Sequence, residues 1–307
     1  MPFIRGHDHS MVRIPLALQR CWQDLLGVCG VLFVPLLAGC SPARQLTPAR
    51  LERGYTIILP GIEGTSTLNA DVAKGLVDGG WPGALEVYDW TAGSVLLFPV
   101  NLRALERNKD EARRIAQKIV AYQTKYPGRP VHIIGHSGGG GVAVLALEAL
   151  PEGRRITSAI LLAPAISPDY NLTKALRKTR HGVWNFYSRH DVGFLKAGTL
   201  LMGTIDGRHT SAAGAVGFQM PWGLDEEERR LYATHLRQQP YSRKMAESGH
   251  MGGHVGWANR RFVAEWLCPI MLAQMNVQPT AGPDLQRPNR PRDDSRHGPV
   301  PAGGGGQ

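Results

Sequence analysis

The chain has 307 residues, 43% of them hydrophobic, which suffices for one full core and favours a single large α/β domain over two small ones. Its formal charge of +10 comes from scattered Arg and Lys with no block of five like charges, so it reads as a solvated basic surface, compatible with weak attraction to an anionic membrane but not with a nucleic-acid partner. No zinc-finger spacing or aromatic RNA-binding signature is present.

In chain order, the first feature is an uncharged apolar stretch, 25–40, LLGVCGVLFVPLLAGC, preceded by Arg13 and Arg20. It is short and Gly/Pro-broken for a membrane span of ~20 residues. The positive flank followed by an apolar run reads as a secretory signal. Its end, Leu37-Ala38-Gly39-Cys40, resembles the lipobox of bacterial lipoproteins. That resemblance implies cleavage before Cys40, lipidation of its thiol and anchoring in a bacterial cell envelope, with several acyl chains giving a stable hold. A start at Met11 would give the leader a more usual length. Cleavage would discard Cys21 and Cys29, leaving Cys268, in an apolar helical pattern, as the other cysteine.

Residues 40–53 are polar and Pro-containing and read as a tether. The folded unit is expected over 54–277. Residues 278–307, with five prolines from Pro283 onwards plus Pro279 and four consecutive glycines, read as a disordered tail. Within the folded unit, short apolar runs at 55–59, 85–89, 131–134, 159–163 and 183–188 read as strands buried on both faces of a parallel sheet. The strongest helical pattern is 109–126, with Asn108 and Glu111 as a capping pair and Pro127-Gly128 as the stop. Alternation of strands and helices predicts βαβ units. Residues 193–220, rich in Gly, Thr, Ala and Met, are expected to shape or cover a pocket; 225–239 look helical, and no strand is evident before residue 254.

The chemistry centres on Gly135-His136-Ser137-Gly138-Gly139. A buried strand enters this run and a small-residue helix, 140–150, leaves it. In that setting G-x-S-x-G is a nucleophile elbow: glycines two before and two after the serine remove clashing side chains, and the hydroxyl projects above a helix N-terminus. A phosphate-binding loop would need a Lys after the glycines, and a dinucleotide fingerprint would have to begin inside the helix; neither fits. The strand–elbow–helix resembles the α/β-hydrolase fold. The resemblance spans about 55–275 and implies a mostly parallel central sheet with helices on both faces. The 54 positions from Ser137 to Asp191 leave no room for a large cap domain between nucleophile and acid.

That family's order is Ser, then acid, then His. The resemblance assigns Asp191, directly after the 183–188 strand, as the acid, ahead of Asp169 and Asp206. It assigns His254, before the 259–267 helix, as the base, ahead of His250. The loop Pro60-Gly61-Ile62-Glu63-Gly64-Thr65 after the first strand resembles the one that supplies half of the oxyanion hole. Gly138 and Ile62, with Glu63 next in register, are the expected N–H donors. His136 is expected to point away from the reacting centre. A metal at His250-x-x-x-His254 lacks the helical context and glutamate of a zinc protease. The implied activity is hydrolysis of an ester or related acyl substrate through an acyl-enzyme, without metal or cofactor. A peptidase with the same triad, or a catalytically silent binding protein of the same fold, are the competing readings.

Overall fold

The computed structural model describes residues 45–93, 101, 104–191 and 203–275. The segments read as leader, Cys40 and C-terminal tail lie outside the described residues. Six strands form one wholly parallel sheet: β1 (Tyr55–Leu59), β2 (Ala84–Val87), β3 (Val131–His136), β4 (Ser158–Leu162), β5 (Val183–Tyr187) and β6 (Leu236–Pro240), in the order β2-β1-β3-β4-β5-β6. β1, β3 and β4 are buried at every position. This is why their sequences show apolar runs without polar alternation.

Helices cover both faces. After the short α1 (Pro48–Leu51) come α2 (Thr67–Asp78), α3 (Leu105–Lys125), α4 (Gly138–Glu148), α5 (Thr173–Arg177), α6 (Ala213–Val216) and α7 (Glu226–His235). A final helical run comprises α8 (Arg260–Phe262), a π turn (Val263–Leu267) and α9 (Cys268–Met275). Strand alternation divides the core in two. Ile57, Leu59, Ile133 and Leu161 face α3 and α4, whereas Ile58, Ile134, Ile160 and Phe186 face α2 and the 257–271 region. Cys268 belongs to the second layer and is fully buried. Between Ser137 and Asp191 the chain makes only α4, β4, α5, β5 and their connections, with no cap domain. The architecture is that of the α/β-hydrolase fold.

Several local expectations are corrected. Helix α3 starts at Leu105, so Asn108 and Glu111 lie inside it, both buried. Their side chains make tertiary bonds, Asn108 to the Asn101 carbonyl and Glu111 to the Tyr88 hydroxyl, instead of a cap. The elbow helix begins at Gly138, two residues before its expected start. The 225–239 segment is helical only to His235 and then becomes β6, the edge strand absent from the sequence reading. Residues 45–53 fall in the segment read as a tether, yet they are held to the domain. Leu85 N donates to the Gln45 carbonyl (3.2 Å), Arg50 Nη2 to the Trp81 carbonyl (2.9 Å) and Tyr122 Oη to the Leu51 carbonyl (2.6 Å).

Candidate active site

β3 runs directly into the elbow. Ser137 adopts φ 54°, ψ −121°, a conformation that costs a non-glycine residue of the order of 1–3 kcal/mol and persists only where surroundings enforce it. Here its N–H donates to the Leu162 carbonyl (2.9 Å), and its carbonyl accepts from Gly140 N (3.0 Å) and Ala165 N (2.9 Å). The flanking glycines have steric causes. A Cβ on Gly135 would lie 2.4 Å from the Gly139 carbonyl oxygen, and one on Gly139 would lie 2.3 Å from the Pro60 carbonyl oxygen. Gly138 opens α4, so its N–H has no partner within the helix. A Cβ there would meet the Ile62 side chain at 2.9 Å, which places the 60–65 loop face to face with the elbow.

That loop is clamped at successive peptide planes. Trp90 Nε1 donates to the Pro60 carbonyl (2.7 Å), Gly64 N to the Gly61 carbonyl (3.1 Å) and Asn101 Nδ2 to the Ile62 carbonyl (3.1 Å). In a trans peptide the N–H points opposite to the carbonyl. Fixing these three carbonyls therefore fixes the N–H directions of Gly61, Ile62 and Glu63. Each carbonyl so bonded also polarises its own amide toward stronger donation. Asn101 is itself held: its Oδ1 accepts from Ala92 N (2.9 Å) and its carbonyl accepts from Asn108 Nδ2 (2.8 Å). Asn69 Nδ2 donates to the Gly64 carbonyl, and Asp89 accepts from Thr65. Burial would raise the Asp89 carboxyl, but its bonds from Thr91 and Thr65 prevail and hold it low.

Asp191 and His254 meet. His254 Nδ1 lies 2.6 Å from Asp191 Oδ2, and both side chains are almost wholly buried. Asp191 closes a turn after β5, its N–H donating to the Ser188 carbonyl (3.1 Å). The Ser188 hydroxyl donates to the Gly252 carbonyl (2.7 Å), tying the acid's turn to the loop that carries His254. His250, the competing base, lies under that loop. It is fully buried, its Nδ1 accepts from Gly252 N (3.1 Å), and its ring sits 3.9 Å from that of Trp257. Burial pushes it down to about 4, partly opposed by Asp191.

His136 packs beside His254, the ring centroids 4.8 Å apart and its Nε2 3.2 Å from the His254 carbonyl oxygen. It donates that bond as a neutral imidazole. Burial first, then repulsion from His254, lower it to about 3, with the bond acting the other way. This contact also brings His254 to the elbow, since His136 immediately precedes Ser137. Glu63 folds its carboxylate over Gly61, where a Cβ would lie 2.2 Å from Oε2. Burial raises that carboxyl, while nearby backbone N–H groups and His254 draw it down.

The structure thus joins Asp191 to His254 and sets Ile62 against Gly138. Trp90, Asn101, Asn108 and Ser188 were not singled out by the sequence as site residues; only their bonding partners reveal them. Of the expected covering segment, residues 203–217 bond along the β4 exit: Ile205 N to the Ala165 carbonyl, Ala213 N to that of Ile166 and Gly214 N to that of Pro164. Residues 192–202 lie outside the described residues. Among the described residues, no group of three or more His, Cys, Asp or Glu could hold a metal ion, and no helix is long and apolar enough to cross a membrane.

A family model described as "Serine aminopeptidase, S33" matches residues 104–213, which include Ser137 and Asp191 but neither Ile62 nor His254. No curated protein is significantly similar in sequence. Similar solved structures include Est1E from Butyrivibrio proteoclasticus, with 15% identity, 75% of this chain and 91% of that one covered, and a TM-score of 0.42. A serine hydrolase from Cycloclasticus zankles has 14% identity, coverage of 73% and 92%, and a TM-score of 0.38. A cutinase-like protein from Cryptococcus sp. has 11% identity, coverage of 73% and 95%, and a TM-score of 0.37.

Proposed function

We propose that the chain is a serine hydrolase acting on carboxylic esters or related acyl substrates through Ser137, His254 and Asp191. The observation that carries this reading is the 2.6 Å contact between His254 Nδ1 and Asp191 Oδ2 beside a serine in the strained elbow conformation. The family match over 104–213 supports a hydrolase. In the proposed cycle Asp191 fixes the imidazole tautomer with the proton on Nδ1, and Nε2 takes the proton of the Ser137 hydroxyl as its oxygen attacks the acyl carbon. The N–H groups of Gly138 and Ile62 receive the oxyanion, and His254 then protonates the leaving group. Water, deprotonated by His254, cleaves the acyl-enzyme and returns Ser137 to its starting state.

Hydrolysis of short and long p-nitrophenyl esters, amides and peptides tests this reading. Activity that falls by about 10³-fold or more in both Ser137→Ala and His254→Ala supports it. Amide substrates are in the panel because the matching family model is named for an aminopeptidase. No turnover by folded wild-type protein favours the silent binding protein.

We also propose that the chain is exported and lipid-anchored at Cys40 in a bacterial envelope, on the strength of the apolar stretch and the Leu-Ala-Gly-Cys end. Incorporation of a clickable fatty acid into wild type and its loss in Cys40→Ala is the expected outcome; equal labelling of both would contradict it.

A further inference from the structure

The groups of the proposed active site stand at the C-terminal ends of the strands, at Leu59, His136 and Tyr187. At the opposite ends a cleft of about 160 Å3 opens before β3 and β4, among Arg129, Arg154, Arg155 and Arg180. Its lining includes no carboxylate. Among the described residues none of these four arginines is ion-paired. Many other arginines are paired: Arg113, Arg114, Arg177, Arg208, Arg230, Arg260 and Arg261 all face acids. The carboxylate nearest in sequence, Glu152, is engaged with Lys178.

The positive field extends to the neighbouring strands. Arg237, at the start of β6, donates to the His181 carbonyl (2.9 Å). Burial first, then Arg237 and Arg180, lower His181; burial, Arg237 and Arg155 lower His235. Four arginines without carboxylate partners line one cleft, and the planar donor forks of guanidinium groups match phosphate oxygens. At about 160 Å3 the cleft has room for a tetrahedral oxyanion.

We propose that this cleft binds a phosphate-bearing anion, at a site separated from Ser137 by about 20 Å, the length of β3. Chain direction favours the headgroup of an anionic phospholipid as the source. Residue 45 joins the domain at the start of β2, at this same edge, where Leu85 N bonds to Gln45. The five residues back to Cys40 span at most about 18 Å. A chain anchored there would present its arginine edge to the headgroups and its catalytic edge away from them. The cleft itself stands without the anchor and without the hydrolase reading.

The test uses the full chain in neutral detergent micelles at fixed ionic strength. Its melting midpoint is followed against inorganic phosphate in one arm, and against phosphatidylglycerol with phosphatidylcholine as control in the other. The expected result is a logarithmic rise of roughly 3–6 °C for each tenfold increase in ligand above its dissociation constant, absent in R155Q/R180Q and kept in the charge-matched R230Q/R261Q. A response to both ligands assigns the cleft to phosphate in any form, and a response to phosphatidylglycerol alone assigns it to lipid headgroups. No rise in either arm, or an equal rise in R155Q/R180Q, overturns the proposal.

Discussion

Three groups stand around His254. Asp191 holds Nδ1, His136 packs against the ring as a neutral neighbour, and the Glu63 carboxyl sits close enough to interact with it. His136→Phe keeps the ring contact but loses the bond to the His254 carbonyl. Ser137 and the glycines around it were legible in the sequence because elbow geometry restricts residue type at fixed spacing. Asp191 and His254 were reached through chain order. Trp90, Asn101 and Ser188 were not, because a tertiary hydrogen bond leaves no period in the chain.

At the scale of the element, the 60–65 loop acts as a rigid plate. Its carbonyls are held from β2's exit by Trp90 and from the start of α3 by way of Asn108 and Asn101. Displacing a donor by about 1 Å can cost as much as 10²-fold in rate. Asn101→Ala is therefore expected to lower kcat about tenfold to a hundredfold with KM nearly unchanged, and Asn101→Asp to fail to restore it, because a carboxylate cannot donate to the Ile62 carbonyl. A change confined to KM would contradict the positioning role. The contact between α4 and β1 gives a second expectation. Gly139→Ala must push the helix off the Pro60 carbonyl, destabilising the protein by about 1–3 kcal/mol or more in urea unfolding. Gly253→Ala, one residue before His254, meets nothing within 4 Å at ordinary φ and is expected to be silent in the same measurement. The strands buried on both faces announced themselves as apolar runs. β6, Leu236-Arg237-Gln238-Gln239-Pro240, did not. It is an edge strand whose main chain pairs with β5 while its side chains are mostly exposed or half-buried, so neither a run nor a clean alternation is required. The Asn108–Glu111 pair misled for a related reason: its spacing matches a cap, but both side chains serve contacts inside the fold.

For the whole molecule, the sheet separates two chemistries, a proposed acyl site at the C-terminal strand ends and an arginine cleft at the other. It also buries histidines that cannot be charged. His132 and His136 are lowered to about 3 and His250 to about 4, burial being the largest cause for each. Their unfolded value is near 6.5. Above pH 6.5 both states leave them neutral and stability is undiminished. As pH falls from 6.5 toward 3–4 the unfolded chain binds protons that the folded chain refuses, and stability is lost. Melting midpoints should fall steadily between pH 6.5 and 4, by less in His250→Asn once its lower starting stability is subtracted. A flat profile would contradict this.

The central claim is that Ser137 is the nucleophile. Wild-type protein treated with a fluorophosphonate probe, digested and sequenced by mass spectrometry, should carry one adduct on Ser137, with none formed in Ser137→Ala and slow formation in His254→Ala. An adduct on another residue that survives in Ser137→Ala, or no adduct on folded wild type, would contradict the account.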